Sequence, residues 1–359
     1  MQYTHGGDIW SCPAPVLDFS ANLNPLGMPP QVRQAAEASI TDAVHYPDPA
    51  CRRLTAGIAA RDGVKPEQVL CGAGAADLIF RLVWAERPRR AMVTAPTFSE
   101  YGQALRAAGA EVISHRLRKE DGFDLTEDIL RHIDHDLDML FLCTPNNPTG
   151  RTIPTQLLET IARRCGEMGG RLVVDECFLE LTDGAQGMAG RLEEFPTLFL
   201  LRAFTKSYAI PGLRLGYCLT ADQPLLEKME ACAPAWAVSV PAQAAGLAAL
   251  EQPDWPQQAR AVIGPARERL LAELRGLGLE VWPGQANYLL FRAPGQCDLK
   301  ERMAARGILL RSCANYDGLG PDYYRAAVRL PEENERLIST LRAGLVENCR
   351  YREDTTGRA

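Results

Sequence analysis

The chain is expected to be an α/β protein built on a mainly parallel sheet, with a smaller α+β unit toward its C-terminal end. Three observations lead there. Short, wholly apolar runs such as LFLC (140–143) alternate with amphipathic helical patterns through the middle of the 359 residues. That rhythm suits a sheet covered by helices on both faces. Polar, glycine-bearing tails follow several of these runs, and in such sheets ligands bind beyond the carboxyl ends of the strands. Past Pro234 the alternation gives way to a long helical stretch and then to short strands.

Taken in order, the first forty or so residues are rich in Pro, Gly and Asn. They are expected to form an irregular arm, 1–44, lying on the rest. A large domain, 45–240, follows. Its seven strands are expected at 69–71, 91–94, 111–116, 139–144, 171–175, 197–202 and 213–220, with helices at 75–85, 99–108 and 155–168 between them. A small domain, 241–359, is expected to open with one helical stretch over 241–275, stopped by Gly276. Strands at 279–282, 287–292, 308–312 and 324–330 and a helix at 333–347 complete it.

The composition is that of a soluble globular chain, with 46% hydrophobic, 23% charged and 7% aromatic residues. A net charge of −6 argues against a nucleic-acid or anionic-membrane surface. Eleven cysteines are scattered without any C-x-x-C pair or zinc-like Cys/His spacing. Reduced thiols in a cytoplasmic protein are therefore expected, with no metal site. No secretory signal is expected from the first residues, and no apolar run reaches the length of a membrane span.

Four strand tails carry the chemistry: CGAGAAD (71–77), CTPNNPTG (143–150), VDE (174–176) and RAFTKSYAIPGLRLG (202–216). The first is a glycine turn opening a helix, where successive backbone N–H groups can hold a phosphate; it also reads as a mere tight turn. In the second, prolines stiffen a loop on which Asn147 can present an amide; it also reads as a turn. Asp175 ends an apolar strand, a costly place for an unpaired carboxylate. It reads either as a helix cap or as the partner of a protonated ring nitrogen. Lys206, flanked by Phe204, Thr205 and Tyr208, reads either as a solvated lysine or as an amine of lowered proton affinity able to form a Schiff base. Arg214 can neutralise a phosphate.

In this order the motifs resemble the fold-type-I transferases dependent on pyridoxal 5′-phosphate (PLP), specifically the aminotransferase class that includes histidinol-phosphate aminotransferase. The resemblance spans essentially the whole chain. It implies that Lys206 carries the Schiff base and shuttles a proton at the substrate Cα, and that Asp175 keeps the pyridine nitrogen protonated. It further implies that Asn147 donates to the phenolic oxygen and that Phe98 stacks on the ring. Ala75, Ala76, Thr205 and Arg214 then hold the phosphate, and Tyr46 in HYPDP reaches the cofactor of a partner subunit, so the active unit is a homodimer. Two positions depart from the family pattern: Ala203 replaces a frequent hydroxyl, and Phe178 replaces a frequent tyrosine at the phenolic oxygen.

Within that class, the segments HGGDI (5–9), LDFSANLNPLGMP (17–29) and ILLRSCANYDGL (308–319) are similar to the L-threonine O-3-phosphate decarboxylases of cobalamin biosynthesis. That similarity implies a small phosphorylated amino acid as substrate, contacted by His5, Gly6, Asn22, Asn147, Arg311 and Arg325. Guanidinium forks suit a phosphate and a carboxylate; surface salt bridging is the competing reading of the two arginines. Decarboxylation and transamination start from the same adduct and differ in which Cα bond stands perpendicular to the conjugated plane. A histidinol-phosphate or related aminotransferase is therefore the alternative, and a non-catalytic binding protein on the same fold a more distant one.

Overall fold

The structure, a computed structural model, describes residues 5–12 and 15–356, with side chains to residue 345. Its central feature is a seven-stranded sheet made of β2 (Val69–Gly72), β3 (Arg90–Ala95), β4 (Glu111–Arg116), β5 (Met139–Cys143), β6 (Arg171–Asp175), β7 (Leu198–Ala203) and β8 (Gly216–Leu219). The spatial order is β2-β8-β7-β6-β5-β3-β4. Only β8 runs against its neighbours. The strands are apolar on both sides because both sides are covered. In β5, Leu140 and Leu142 join the core on one face while Met139 and Phe141 join the core on the other. Helices Ala75–Glu86 and Ser99–Ala107 pack on the second face, and Thr155–Met168 packs on the first.

Seven strands stand where seven are expected, with small shifts at their ends. The largest shift is at the last. Residues 213–215, read as strand, instead form the end of a 3-10 turn, Pro211–Leu213, followed by Arg214 in a left-handed conformation at φ 58°. Non-glycine residues take that conformation at a cost, and periodicity carries no sign of it.

The C-terminal part holds a four-stranded antiparallel sheet in the order β12-β13-β10-β9. Its strands are β9 (Glu280–Trp282), β10 (Tyr288–Arg292), β12 (Arg311–Ser312) and β13 (Tyr323–Ala327). The stretch 308–312, expected as one strand, is divided between two sheets. Its first half, β11 (Ile308–Leu309), pairs in parallel with β1 (Leu17–Asp18), and only its second half joins the small sheet. The helical stretch expected over 241–275 is two helices, Val240–Leu250 and Trp255–Gly276. Pro253 interrupts the backbone donors between them. The first forty residues are less irregular than expected, since Pro30–Ala38 is a helix packed along Val240–Leu250.

Two glycines join the parts at the TPNNPTG loop. Gly150, at φ 71°, faces Gly284 so closely that a Cβ on Gly284 would lie 2.9 Å from the Gly150 Cα. The Gln285 N–H donates to the Gly150 carbonyl at 2.7 Å, and the Tyr288 hydroxyl donates to the Asn146 carbonyl at 3.0 Å. Gly284→Ala is therefore expected to destabilise the protein by about 1–3 kcal/mol, read from urea unfolding. An unchanged midpoint would show that the two backbones have room to part.

Candidate active site

Because β2, β3, β5, β6 and β7 are parallel, their carboxyl ends share one edge of the sheet, and β8 begins at that edge just after Arg214. The four motif-bearing tails thus converge on a single cavity of about 380 Å³. Ala75, Ala76, Phe98, Asn147, Asp175, Phe178, Thr205, Lys206 and Arg214 line it, and His5, Gly6, Asn22, Arg311 and Arg325 close it from the N-terminal segment and the small sheet. Ala203 is also in the wall. Of the expected site residues, Tyr46 alone lies elsewhere. It is exposed, and its ring stacks on that of Trp236 at 4.4 Å.

Asp175 is buried at the end of β6. Its carboxylate accepts from the Tyr101 hydroxyl at 2.5 Å and from the Cys177 N–H at 2.9 Å. Among the described residues it forms no salt bridge. Burial, reinforced by the carboxylate, raises the Tyr101 pKa well above its ordinary value, so Tyr101 stays a donor. A carboxylate held this way, open to the cavity, calls for a cation. The same two causes keep Cys177 a thiol.

Lys206 sits in the short helix Phe204–Ser207 that follows β7, with its amine 5.6 Å from the centre of the Phe178 ring. Burial, and then the positive charge of Arg325, lower its pKa to about 8. The N-terminal segment threads past it. The Asn24 N–H donates to the Lys206 carbonyl at 3.0 Å, and the Asn24 amide donates to the Ser207 carbonyl at 2.7 Å.

A glycine turn overlaid by a guanidinium also borders the cavity that holds the lysine. Gly74, at φ 91°, opens the helix Ala75–Glu86, and a Cβ there would stand 2.6 Å from Arg214 Nη2. Glycine thus leaves room for the guanidinium to lie over backbone N–H groups at a helix start. Asp77 ties the loop by accepting from the Ala73 N–H at 2.8 Å.

Arg311 and Arg325 are opposed across β12 and β13, and both are buried, at 7% and 5% exposure. Like charges directly opposite repel, yet neither has a carboxylate partner among the described residues. Arg325 is held by neutral acceptors: the Asn147 amide oxygen, the Ser20 carbonyl at 2.7 Å, and the Asn22 amide, assigned with its oxygen toward the guanidinium because only that orientation lets it accept from Nε and Nη1, both at 3.2 Å. The Tyr316 hydroxyl also donates to the Asn147 oxygen at 3.1 Å, which leaves the Asn147 NH₂ to donate into the cavity. Arg311 donates to Asn315 at 2.8 Å and lies over the Tyr316 ring.

These features fit PLP. The glycine turn with Arg214 matches a phosphate, Asp175 matches a protonated ring nitrogen, and Lys206 matches a carbonyl carbon. Several residues of the wall went unassigned in the sequence, namely Ser20, Glu100, Tyr101, Cys143, Cys177 and Tyr316. Tyr316 lies inside the RSCANY segment and Tyr101 three residues after Phe98, so proximity to a motif was the available signal.

The comparisons agree with this geometry. The family model for aminotransferase class I and II matches residues 14–341. A threonine-phosphate decarboxylase from Salmonella typhimurium is 41% identical over 94% of this chain and 95% of its own length. The adenosylcobalamin biosynthesis bifunctional protein CobDQ of Leptospira interrogans is 30% identical over 93% of this chain and 40% of its own. The crystal structure of histidinol-phosphate aminotransferase from Clostridium acetobutylicum superposes with a TM-score of 0.86 at 26% identity, covering 92% of this chain and all of that one. On the fold, on the convergence of its motifs and on these matches, the chain belongs to the aminotransferase class I and II family.

Proposed function

We propose that this protein removes the carboxyl group of L-threonine O-3-phosphate as carbon dioxide, giving (R)-1-amino-2-propanol O-2-phosphate for cobalamin biosynthesis, with PLP as cofactor. The observation that carries the reading is the pair Arg311 and Arg325, two buried guanidiniums opposed on neighbouring strands and hydrogen-bonded only to neutral acceptors. A substrate with one phosphate and one carboxylate supplies the two anions that this wall lacks. The Salmonella decarboxylase and the Leptospira protein named for adenosylcobalamin biosynthesis support that substrate and that pathway.

The residues divide the work as follows. Ala75 and Ala76 through their N–H groups, with Thr205 and Arg214, would hold the cofactor phosphate. Asp175 would hold the proton of the ring nitrogen, the Asn147 NH₂ would donate to the phenolic oxygen, and Phe98 would cover the ring. Phe178 offers no hydroxyl to that oxygen. When bound, PLP supplies an electron sink for the pair released as the bond between Cα and the carboxyl carbon breaks. Arg311 and Arg325, with His5, Gly6 and Asn22, orient the substrate and so decide which Cα bond is weakened. Lys206 delivers a proton to Cα once the carboxyl group has left. Its lowered proton affinity lets it exchange protons near neutral pH.

We extend the proposal to the assembly: a cytoplasmic homodimer in which Tyr46 of each subunit reaches its partner's cavity, with the arm 1–44 and the domains 45–240 and 241–359 as working parts. Tyr46 is 77% exposed and stacked on the half-exposed Trp236, and Val44 and Ile40 nearby are exposed as well. Apolar patches of this kind mark contact surfaces. The ten described cysteines are free thiols, in keeping with a reducing compartment.

Three outcomes test these readings. Uptake of PLP by the apoenzyme needs the uncharged Lys206 amine, so its rate should climb as pH rises through about 8 and then level off. A midpoint near the ordinary lysine value of 10.5, or borohydride fixation on another lysine, would remove Lys206 from the role. Threonine phosphate supplied without any keto acid should be consumed over many turnovers with release of carbon dioxide. Turnover that waits for 2-oxoglutarate and releases no carbon dioxide would instead establish an aminotransferase. Mixing Lys206→Ala with Tyr46→Ala subunits should regenerate activity, because a mixed dimer holds one intact site. A fully active monomer would dismiss the shared site.

A further inference from the structure

Besides Asp175, one other carboxylate stands in the cavity wall, that of Glu100. It lies in the first turn of the helix Ser99–Ala107, with its side chain 13% exposed, and it lines the cavity next to Phe98. Its Oε1 is buried without a hydrogen bond of its own and stands 3.0 Å from Nε2 of His5. The imidazole and the carboxylate are thus in close polar contact at the cavity mouth. His5 itself is half exposed and belongs to a segment with no regular structure.

The same segment is fastened on its other side. The Gly7 N–H donates to the Ser20 hydroxyl at 2.7 Å, and a Cβ on Gly6 would collide with the Ser20 carbonyl. The segment therefore lies flat only because residue 6 is glycine. Ser20 passes the contact on, since its carbonyl accepts from Arg325 Nη2 at 2.7 Å. Residues 5–7 thus span the cavity mouth from Glu100 on the large-sheet side to the Ser20–Arg325 contact on the other.

We propose that Glu100 is a positioning residue that holds His5, and with it the N-terminal segment, across the cavity so that anionic substrate binds against a complete wall. The proposal rests on the decarboxylase reading and assigns it one further determinant of substrate affinity. An acidic residue in the first turn also favours a helix by itself. That simpler role would act on stability, with no dependence on His5.

The test is a double-mutant cycle on the holoenzyme, comparing wild type, Glu100→Gln, His5→Ala and the double variant, with KM for threonine phosphate and the visible absorbance of bound cofactor as readouts. Glu100→Gln, nearly isosteric, should raise KM about tenfold, as expected for loss of one charge-assisted contact, with a smaller change in kcat. The double variant should match His5→Ala alone, and the absorbance should persist in all four. An unchanged KM in Glu100→Gln, effects that multiply in the double variant, or loss of the cofactor absorbance in Glu100→Gln would each overturn the proposal. Should the wild type release no carbon dioxide, the decarboxylase reading fails by itself. The same cycle read on the affinity for inorganic phosphate then still decides the role of Glu100.

Discussion

The guanidinium of Arg325 sits where three parts of the chain meet, and the shape of the cleft depends on it. It comes from β13 of the small sheet, donates to Asn147 on the loop after β5, and holds the Ser20 carbonyl and Asn22 of the N-terminal segment. A buried arginine needs several acceptors to offset its loss of water. Satisfying it draws segments separated by more than a hundred residues to one point. All of those acceptors are neutral, so the positive charge stays uncompensated and available to a ligand. Its influence reaches Lys206 as well, where it adds to burial in lowering the affinity of the amine for protons.

The opposite charge is handled by the same logic. Asp175 is fastened by Tyr101 and by a backbone N–H, which orient the carboxylate without neutralising it. Farther from the cavity, charges are cancelled in place. Arg202 pairs with Glu176 and Asp62, and Arg171 pairs with Glu86 and Asp222. The buried charges of Arg171 and Arg202 thus knit elements together as pairs, while those of Asp175, Lys206, Arg311 and Arg325 face one cavity without an ion-pair partner among the described residues. Fixed charges that need no reorganisation are the usual source of binding and rate enhancement in such sites.

The strand tails were legible because each combines an apolar run with residues that only a ligand or a turn would need there. That is why Lys206, Asp175, Asn147 and the glycine turn before Ala75 and Ala76 could be named from the chain alone; Lys206, Asp175, Asn147, Ala75 and Ala76 all line one cavity. Tertiary override explains the misses. The stretch 308–312 looks like one strand, yet its halves serve two sheets because β1 takes the first half. Arg214 lies in a stretch that reads as strand, but its backbone is left-handed so that its guanidinium can approach Gly74. Tyr101 and Glu100 belong to no motif and Tyr316 ends one without a role of its own there; the parts of Tyr101 and Tyr316 in the site arise from contacts across long intervals of sequence.

What the sequence determined by itself was the α/β class, the order of the elements and the identity of the groups along the carboxyl edge. Those depend on periodicity, on glycine and proline chemistry, and on local spacing, all of which act within a few residues. Only the tertiary structure decided that Arg311 and Arg325 stand opposed without carboxylates, that Asn147 turns its oxygen to Arg325, and that His5 reaches Glu100. Charge pairing is set by distance in space, and a chain folded through two sheets and a returning N-terminal segment fixes those distances only when every part is in place.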